Sequence, residues 1–329
     1  MNIKKSFFYR AVRKIIRTVF PHKELTYQDI IKKNIKNYAS DVYFAQEGND
    51  KLFELLSSGK PVFITRFGSV ELNTINEYLK AKKHEEKAFN KNKTLNFYSE
   101  NTFSSMHKNA GFFPVTKENL DSFSQLYLDS IKNIDCCGVW FNDGEASVLK
   151  HGAGSALLVE LGCLNSWLYE KPYTSILRGK KVLVIHPFEN TILSQIKNRE
   201  KLFENQDILP PCEIQIIKAP QTIAGNTDGY SSWFEALEAT KKKIDETDFD
   251  IALLGCGAYG LPLGAYIKSK GKSAIHIGGA LQLLFGIKGN RWIVNDDPVT
   301  KLFNEYWTYP LDSDTPPNSN LVENNTYWK

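Results

Sequence analysis

The sequence predicts an α/β fold, a Rossmann-like parallel sheet flanked by helices and preceded by a helical extension. Three observations carry this. Strand-length runs stand at 61–65, 135–141, 180–188, 212–218, 251–254 and 273–277, and the one at 251–254 is apolar throughout, as a strand covered on both faces is. Segments with helical periodicity alternate with them. Glycine-rich turns follow two of the runs directly. A strand-helix-strand order implies parallel strands joined by right-handed crossovers.

The chain has 329 residues, 42% hydrophobic and 24% charged, enough for one large or two moderate domains with a real core. A net charge of +4 is too mild to argue for nucleic acid. The five cysteines form no CxxC pair and are odd in number, which fits free thiols in a reducing cytoplasm better than a disulfide framework or a zinc site. No apolar run approaches the roughly 18–20 residues of a membrane span, no secretory h-region is expected, and no internal repeat is evident. The expected organisation is a helical segment at 1–58, an α/β body at 59–300 with halves at about 59–178 and 179–300, and a tail at 301–329 packed on the body.

Residues 1–23 carry seven Lys and Arg and no acid, with Phe8, Val12, Ile15, Ile16 and Val19 at helical spacing. Such a helix suits an anionic membrane surface or a docked position with its basic face in water. Residues 26–38 and 49–58 read as two further helices. Residues 61–65 form a strand, and Arg66-Phe-Gly-Ser-Val-Glu71 stands where it ends and a helix begins. An arginine there can clamp a phosphate or carboxylate, and Glu71 in the first helical turn can act as base, bind a metal or complement the helix dipole. Strand-end charges also serve as plain ion pairs.

Residues 80–94 are lysine-rich, a solvated helix end and loop. Residues 95–114 have weak periodicity and many aromatics and are expected to form a loop over the site, with His107 a base candidate. Residues 116–134 are an amphipathic helix and 135–141 a buried strand. Asp143 and Glu145 follow it; they could bind a divalent cation or cap the next helix. Residues 164–179 read as loop, and 180–188 as a strong strand ending at His186, on the turn before a helix beginning near Thr191. After a strand at 212–218 and a helix at 231–246 comes the central strand-helix-strand unit, 248–280.

In that unit, Gly255-Cys-Gly-Ala-Tyr-Gly260 follows the strand 251–254, and His276-Ile-Gly-Gly279 ends the strand 273–277. Parallel topology brings both turns to the carboxyl edge of the sheet, where open α/β folds bind ligands. Glycines there let backbone N–H groups approach an anion, and a helix N-terminus adds positive potential. The spacing matches the dinucleotide fingerprint, which also requires an acid about 20 residues on to hold a ribose. None stands there, so NAD is not expected and a diphosphate-bearing ligand remains. The alternative is that the glycines only make tight turns and close packing. Gly255, Gly257, Tyr259, Gly260, His276, Gly278 and Gly279 form the candidate binding set, with Gln282, Lys288 and Arg291 in reach beyond them. The tail lacks periodicity, but Trp307, Tyr327 and Trp328 argue that it lies on the body.

The strand end Arg66-Phe-Gly-Ser-Val-Glu71 and the late half, from Val182-Leu-Val-Ile-His-Pro-Phe188 through the two glycine turns to Trp292, resemble bacterial surface-polysaccharide proteins related to the GT-D-fold glycosyltransferases, over roughly residues 60–292. The resemblance implies a nucleotide-sugar donor and an Asp-x-Glu motif serving donor and metal. Arg66, Phe67, Gly68 and Glu71 match the strand-end pattern; Ser69 replaces its first acid and Val70 its glycine. A manganese or magnesium requirement is therefore in question, unless Asp143 or Glu145 joins Glu71. The expected function is transfer of a sugar from a nucleotide sugar to a surface-glycan acceptor, lipid-linked in one version. Arg66, Gly68, Ser69 and the glycine turns would hold the donor, and Glu71 or His186 would serve as base. The expected location is cytoplasmic, on the inner face of the membrane through residues 1–20. The rivals are an NAD-dependent oxidoreductase or epimerase, and a non-catalytic nucleotide- or glycan-binding protein.

Overall fold

The computed structural model describes residues 27–87, 97–295, 297–322 and 326–329. The basic segment 1–23 lies outside them. Eight strands form one sheet: β1 (Val42–Tyr43), β2 (Phe63–Thr65), β3 (Cys136–Val139), β4 (Leu157–Glu160), β5 (Lys181–His186), β6 (Glu213–Lys218), β7 (Ile251–Leu254) and β8 (Ser273–His276). Their order is β1-β4-β3-β2-β8-β7-β5-β6, and every pair is parallel. The two expected halves therefore share one sheet through the β2–β8 pair.

Side chains of the central strands alternate between two cores, as the two-residue period requires. Phe63, Leu183, Ile185, Ala252, Leu254 and Ala274 enter the first. Val62, Ile64, Val182, Val184, Leu253 and Ile275 enter the second. The helices Ser69–Lys87, Lys117–Ile131, Trp233–Asp245 and Gly260–Ser269 cover the first face. Leu52 of the helix Ala45–Leu56, Ile192 of Glu189–Ile196, Leu281–Leu284 and the tail's Trp307 and Trp328 cover the second.

Three differences from the sequence reading stand out. β1 and β4 were not expected; β1, at two residues, is too short for a period to register, whereas β4 is an apolar run, Leu157-Leu-Val-Glu160, no shorter than β3, β7 or β8. The N-terminal helical region thus contributes an edge strand, pairing Val42 with Leu158. The stretch expected as a loop over the site contains the helix Glu100–Lys108, started by the Ser99 hydroxyl, which accepts from the Thr102 N–H at 3.2 Å.

The site's position follows from the order of faces. From β2 the chain leaves to the first face, through the helix Ser69–Lys87; from its neighbour β8 it leaves to the second, through Leu281–Leu284. β7 leaves to the first face and its neighbour β5 to the second. Loops that part in opposite directions open a crevice at the carboxyl edge, and here two such points lie side by side.

A two-lobed cleft at the carboxyl edge of the sheet

Each divergence point carries a lobe. The first, about 750 Å³, lies beyond β2 and β8 and is lined by Arg66, Gly68, Ser69, Glu71, Tyr127, Trp140, His276, Gly278 and Arg291, among others. The second, about 680 Å³, lies beyond β5 and β7 and is lined by His186, Phe188, Thr222, Cys256, Tyr259, Gln282 and Trp328, among others. Asn109, Ala110, Gly257, Gly279 and Tyr327 line both, so the lobes meet along these residues.

The first lobe is polar and cationic. The Arg66 guanidinium lies over the Trp140 ring, 4.7 Å from its centre. Trp140 is held from behind: its backbone N–H donates to Glu145 Oε2 at 3.2 Å, and the Tyr38 hydroxyl donates to the same oxygen at 2.6 Å. Arg291 donates to the Tyr327 hydroxyl at 3.2 Å and lies 5.5 Å from the centres of the Trp292 and Tyr327 rings. Between the arginines' elements runs the Gly278-Gly279 turn. Gly278 has φ +78°, and a Cβ there would lie 3.4 Å from Arg66 Cδ. Tyr127 is buried, and its hydroxyl donates to the Ala258 carbonyl at 2.5 Å. Burial, then the Glu71 charge, raises this phenol far above its ordinary value, so it stays a proton donor.

The second lobe is mostly apolar and aromatic. Phe188 packs edge-on against Trp328, with ring centres 5.8 Å apart. Tyr259 stacks on Trp233 and shares a 3.0 Å hydrogen bond with Thr222 Oγ1. Burial holds His186 at about 3, so it is neutral. Its Nδ1 accepts from the Phe188 N–H at 3.0 Å, which puts the proton on Nε2. His276 is likewise held at about 3, by burial first and the Arg66 charge second, and shares a 3.0 Å bond with Thr65 Oγ1 through Nδ1.

The expected residues separate on this geometry. Arg66, Gly68, Ser69, Glu71, His276, Gly278 and Arg291 meet in the first lobe, Gly255, Tyr259, His186 and Gln282 in the second, and Gly257 and Gly279 join the two. Several roles change. Phe67 is fully buried in the first core and faces neither lobe. Of the five glycines, Gly257 (φ +55°) and Gly278 have the left-handed backbone that glycine permits. The other three are there for packing: a Cβ on Gly255 would fall 2.6 Å from the His186 ring, one on Gly260 inside the His276 ring, and one on Gly279 against the Tyr327 ring. Gln282 donates its amide to the Ile287, Lys288 and Tyr327 carbonyls at 3.2, 3.0 and 3.3 Å, so that end secures the loop and the tail. Its Oε1 is buried without a partner. His186 carries its proton on Nε2 and has Nδ1 engaged, so it is a donor and not a resting base. Asp143 is exposed, on a separate pocket with Lys36 and Lys150, and Glu145 is buried behind Trp140; neither lines the first lobe with Glu71. His107 is exposed on its helix and lines neither lobe.

Residues the sequence reading did not assign to the site include Asn109, Tyr127, Trp140, Phe188, Thr222 and Tyr327. Trp140 follows the end of β3 directly, and strand-end logic applied to β3 would have reached it. Tyr127 and Tyr327 arrive from a helix and from the tail, and no local pattern marks them.

No family model matches the chain, and no curated protein matches it. Three solved structures are similar. A selenomethionine-substituted domain of unknown function 1792 is 11% identical with a TM-score of 0.42, over 88% of this chain and 96% of its own. A domain of unknown function 1792, described as having a distinct glycosyltransferase fold, is 12% identical with a TM-score of 0.39, over 77% of this chain and 82% of its own. A glycosyltransferase of that domain class from Streptococcus sanguinis is 11% identical with a TM-score of 0.32, over 83% of this chain and 96% of its own. Likenesses this distant assign no activity.

Proposed function

We propose that the protein is a glycosyltransferase, moving a sugar from a nucleotide-sugar donor to a glycan acceptor. The observation that carries this is the pairing of lobes: a glycine-floored lobe with two arginines opens into an aromatic lobe with a neutral imidazole donor and an unpartnered amide oxygen. A nucleotide sugar has the matching halves, a diphosphate and a flat, edge-polar ring. Guanidinium groups bind phosphate oxygens through paired N–H donors, and aromatic walls bind planar rings.

In this reading Arg66, Arg291 and the backbone at Gly257 and Gly278 hold the diphosphate. The acceptor hydroxyl oxygen attacks the anomeric carbon, and the bond from that carbon to the diphosphate oxygen breaks. The electron pair leaves with the nucleoside diphosphate, whose growing charge the arginines stabilise. The acceptor proton passes to Glu71, the carboxylate lining this lobe among the described residues. A surface-polysaccharide acceptor, a lipid-linked form of it, and membrane contact through residues 1–20 belong to the same proposal.

The test is release of nucleoside diphosphate from a panel of nucleotide sugars incubated with the full chain and glycan or glycan-lipid acceptors. Glu71→Gln is expected to lower turnover at least about a hundredfold with the donor still bound. Failure to bind any nucleotide or nucleotide sugar in calorimetry would sink the reading. Reduction of NAD by candidate substrates would favour an oxidoreductase instead, and donor binding without turnover a recognition protein.

A further inference from the structure

We propose that this cleft neutralises its anion with Arg66 and Arg291 alone, and that no divalent cation takes part in holding it. The inference rests on the transferase reading for the identity of the anion, not for the grip itself. The resemblance in the sequence implies a cation held by an Asp-x-Glu pair, and the residues present do not fit one. Ser69 stands in place of the first acid. Of the three carboxylates that could serve, Asp143 lines a different pocket, beside Lys36 and Lys150. Glu145 is wholly buried, and its Oε2 receives the Tyr38 hydroxyl and the Trp140 N–H. Glu71 is then the one carboxylate lining the lobe among the described residues, and no three His, Cys, Asp or Glu side chains among them group to hold a metal.

What the lobe has instead is positive charge held in place. Arg66 lies over the Trp140 ring and close to the Gly278 turn, and Arg291 is held by the Tyr327 hydroxyl and the Trp292 and Tyr327 rings. Trp140 lines the same lobe, and its Nε1–H is buried without a partner. Two guanidiniums supply the charge a divalent ion would bring, add directional N–H donors, and repel a dication from the same space. Glu145 then has a positioning role: it holds Trp140, which holds Arg66.

The test is calorimetric titration of the full chain with uridine, cytidine and guanosine diphosphates and with inorganic pyrophosphate, in EDTA and again with manganese. The expected result is affinity in EDTA within about twofold of that in manganese, and at least about tenfold weaker binding for Arg66→Ala and Arg291→Ala. Arg66→Lys keeps the charge and loses the fork, so it is expected between wild type and Arg66→Ala, which guards against a folding artefact. Glu71→Gln is expected to bind the diphosphate at least as tightly as wild type, because it removes a negative charge from the lobe. Binding that appears only with manganese, or that Glu71→Gln abolishes, overturns the proposal. Pyrophosphate bound in EDTA and lost in Arg66→Ala, with no nucleotide bound, keeps the arginine grip and removes the transferase reading. No binding of either probe in either buffer removes both.

Discussion

At the scale of single residues, the cleft shows how one motif holds unlike roles. In Gly255-Cys-Gly-Ala-Tyr-Gly260, Gly257 is required by its backbone, while Gly255 and Gly260 are required because His186 and His276 sit where a Cβ would be. Both rings are held neutral near 3, against 6.5 for a free imidazole. Between those values the unfolded chain binds protons that the native protein refuses. Stability is therefore full above pH 6.5 and falls as the pH drops toward 3, by about 1.4 kcal/mol per pH unit for each histidine once the unfolded imidazole is protonated. Glu145 acts in the opposite sense, because its raised carboxyl keeps its proton longer in the native protein, but it is one group against two. Urea unfolding between about pH 6.5 and 5 is expected to show this acid-side loss, and His276→Gln to reduce its slope by about one proton. A flat profile across that window would mean that the imidazoles are not buried as described.

At the scale of elements, the helix Gly260–Ser269 shows propensity giving way to packing. Pro262 sits in its first turn, where the missing N–H costs nothing, but Gly260 and Gly264 make it a poor helix on composition. Gly264 faces the fully buried ring of Phe63 on β2; a Cβ there would lie 2.6 Å from Cζ and closer still to the adjoining ring carbon. The glycine lets the helix lie close on the sheet. Gly264→Ala tests which effect wins. Helix propensity alone predicts a gain of up to about 1 kcal/mol. Overpacking against a ring with no room to move costs about 1–3 kcal/mol, so the expected net is a loss of about 1–2 kcal/mol in urea unfolding. A stabilised variant would show that Phe63 can yield.

At the scale of the whole molecule, the tail completes the site. Asp314, fully buried, accepts from the Thr191 N–H at 2.7 Å, the Thr191 hydroxyl at 2.6 Å and the Asn190 amide at 3.1 Å, pinning the tail to the start of the helix after β5. Its carbonyl receives the Trp328 indole N–H at 3.3 Å and the Gln221 amide at 3.2 Å. Tyr327, next in the chain to Trp328, bridges the two lobes and holds Arg291. Asp314→Ala leaves buried donors unmet and is expected to cost about 3 kcal/mol in thermal unfolding, with weaker diphosphate binding measured well below the transition. Loss of stability with binding intact would separate the tail from the site.

Strand-length runs rich in apolar residues determined six of the eight strands, and their alternation with helices the parallel class. They also placed Arg66, the glycine turns and His186 at strand ends, since parallel strands send every such end to one edge. The two-residue edge strand β1 left too little pattern to read, while β4, inside the sheet, carries an apolar run as legible as those of β7 and β8. Only the tertiary structure decided which strand ends are neighbours, that Glu145 supports Trp140 and does not join Glu71, and that Tyr127 and Tyr327 reach the cleft. Those outcomes depend on contacts between residues far apart in the chain, whose local patterns carry no record of one another.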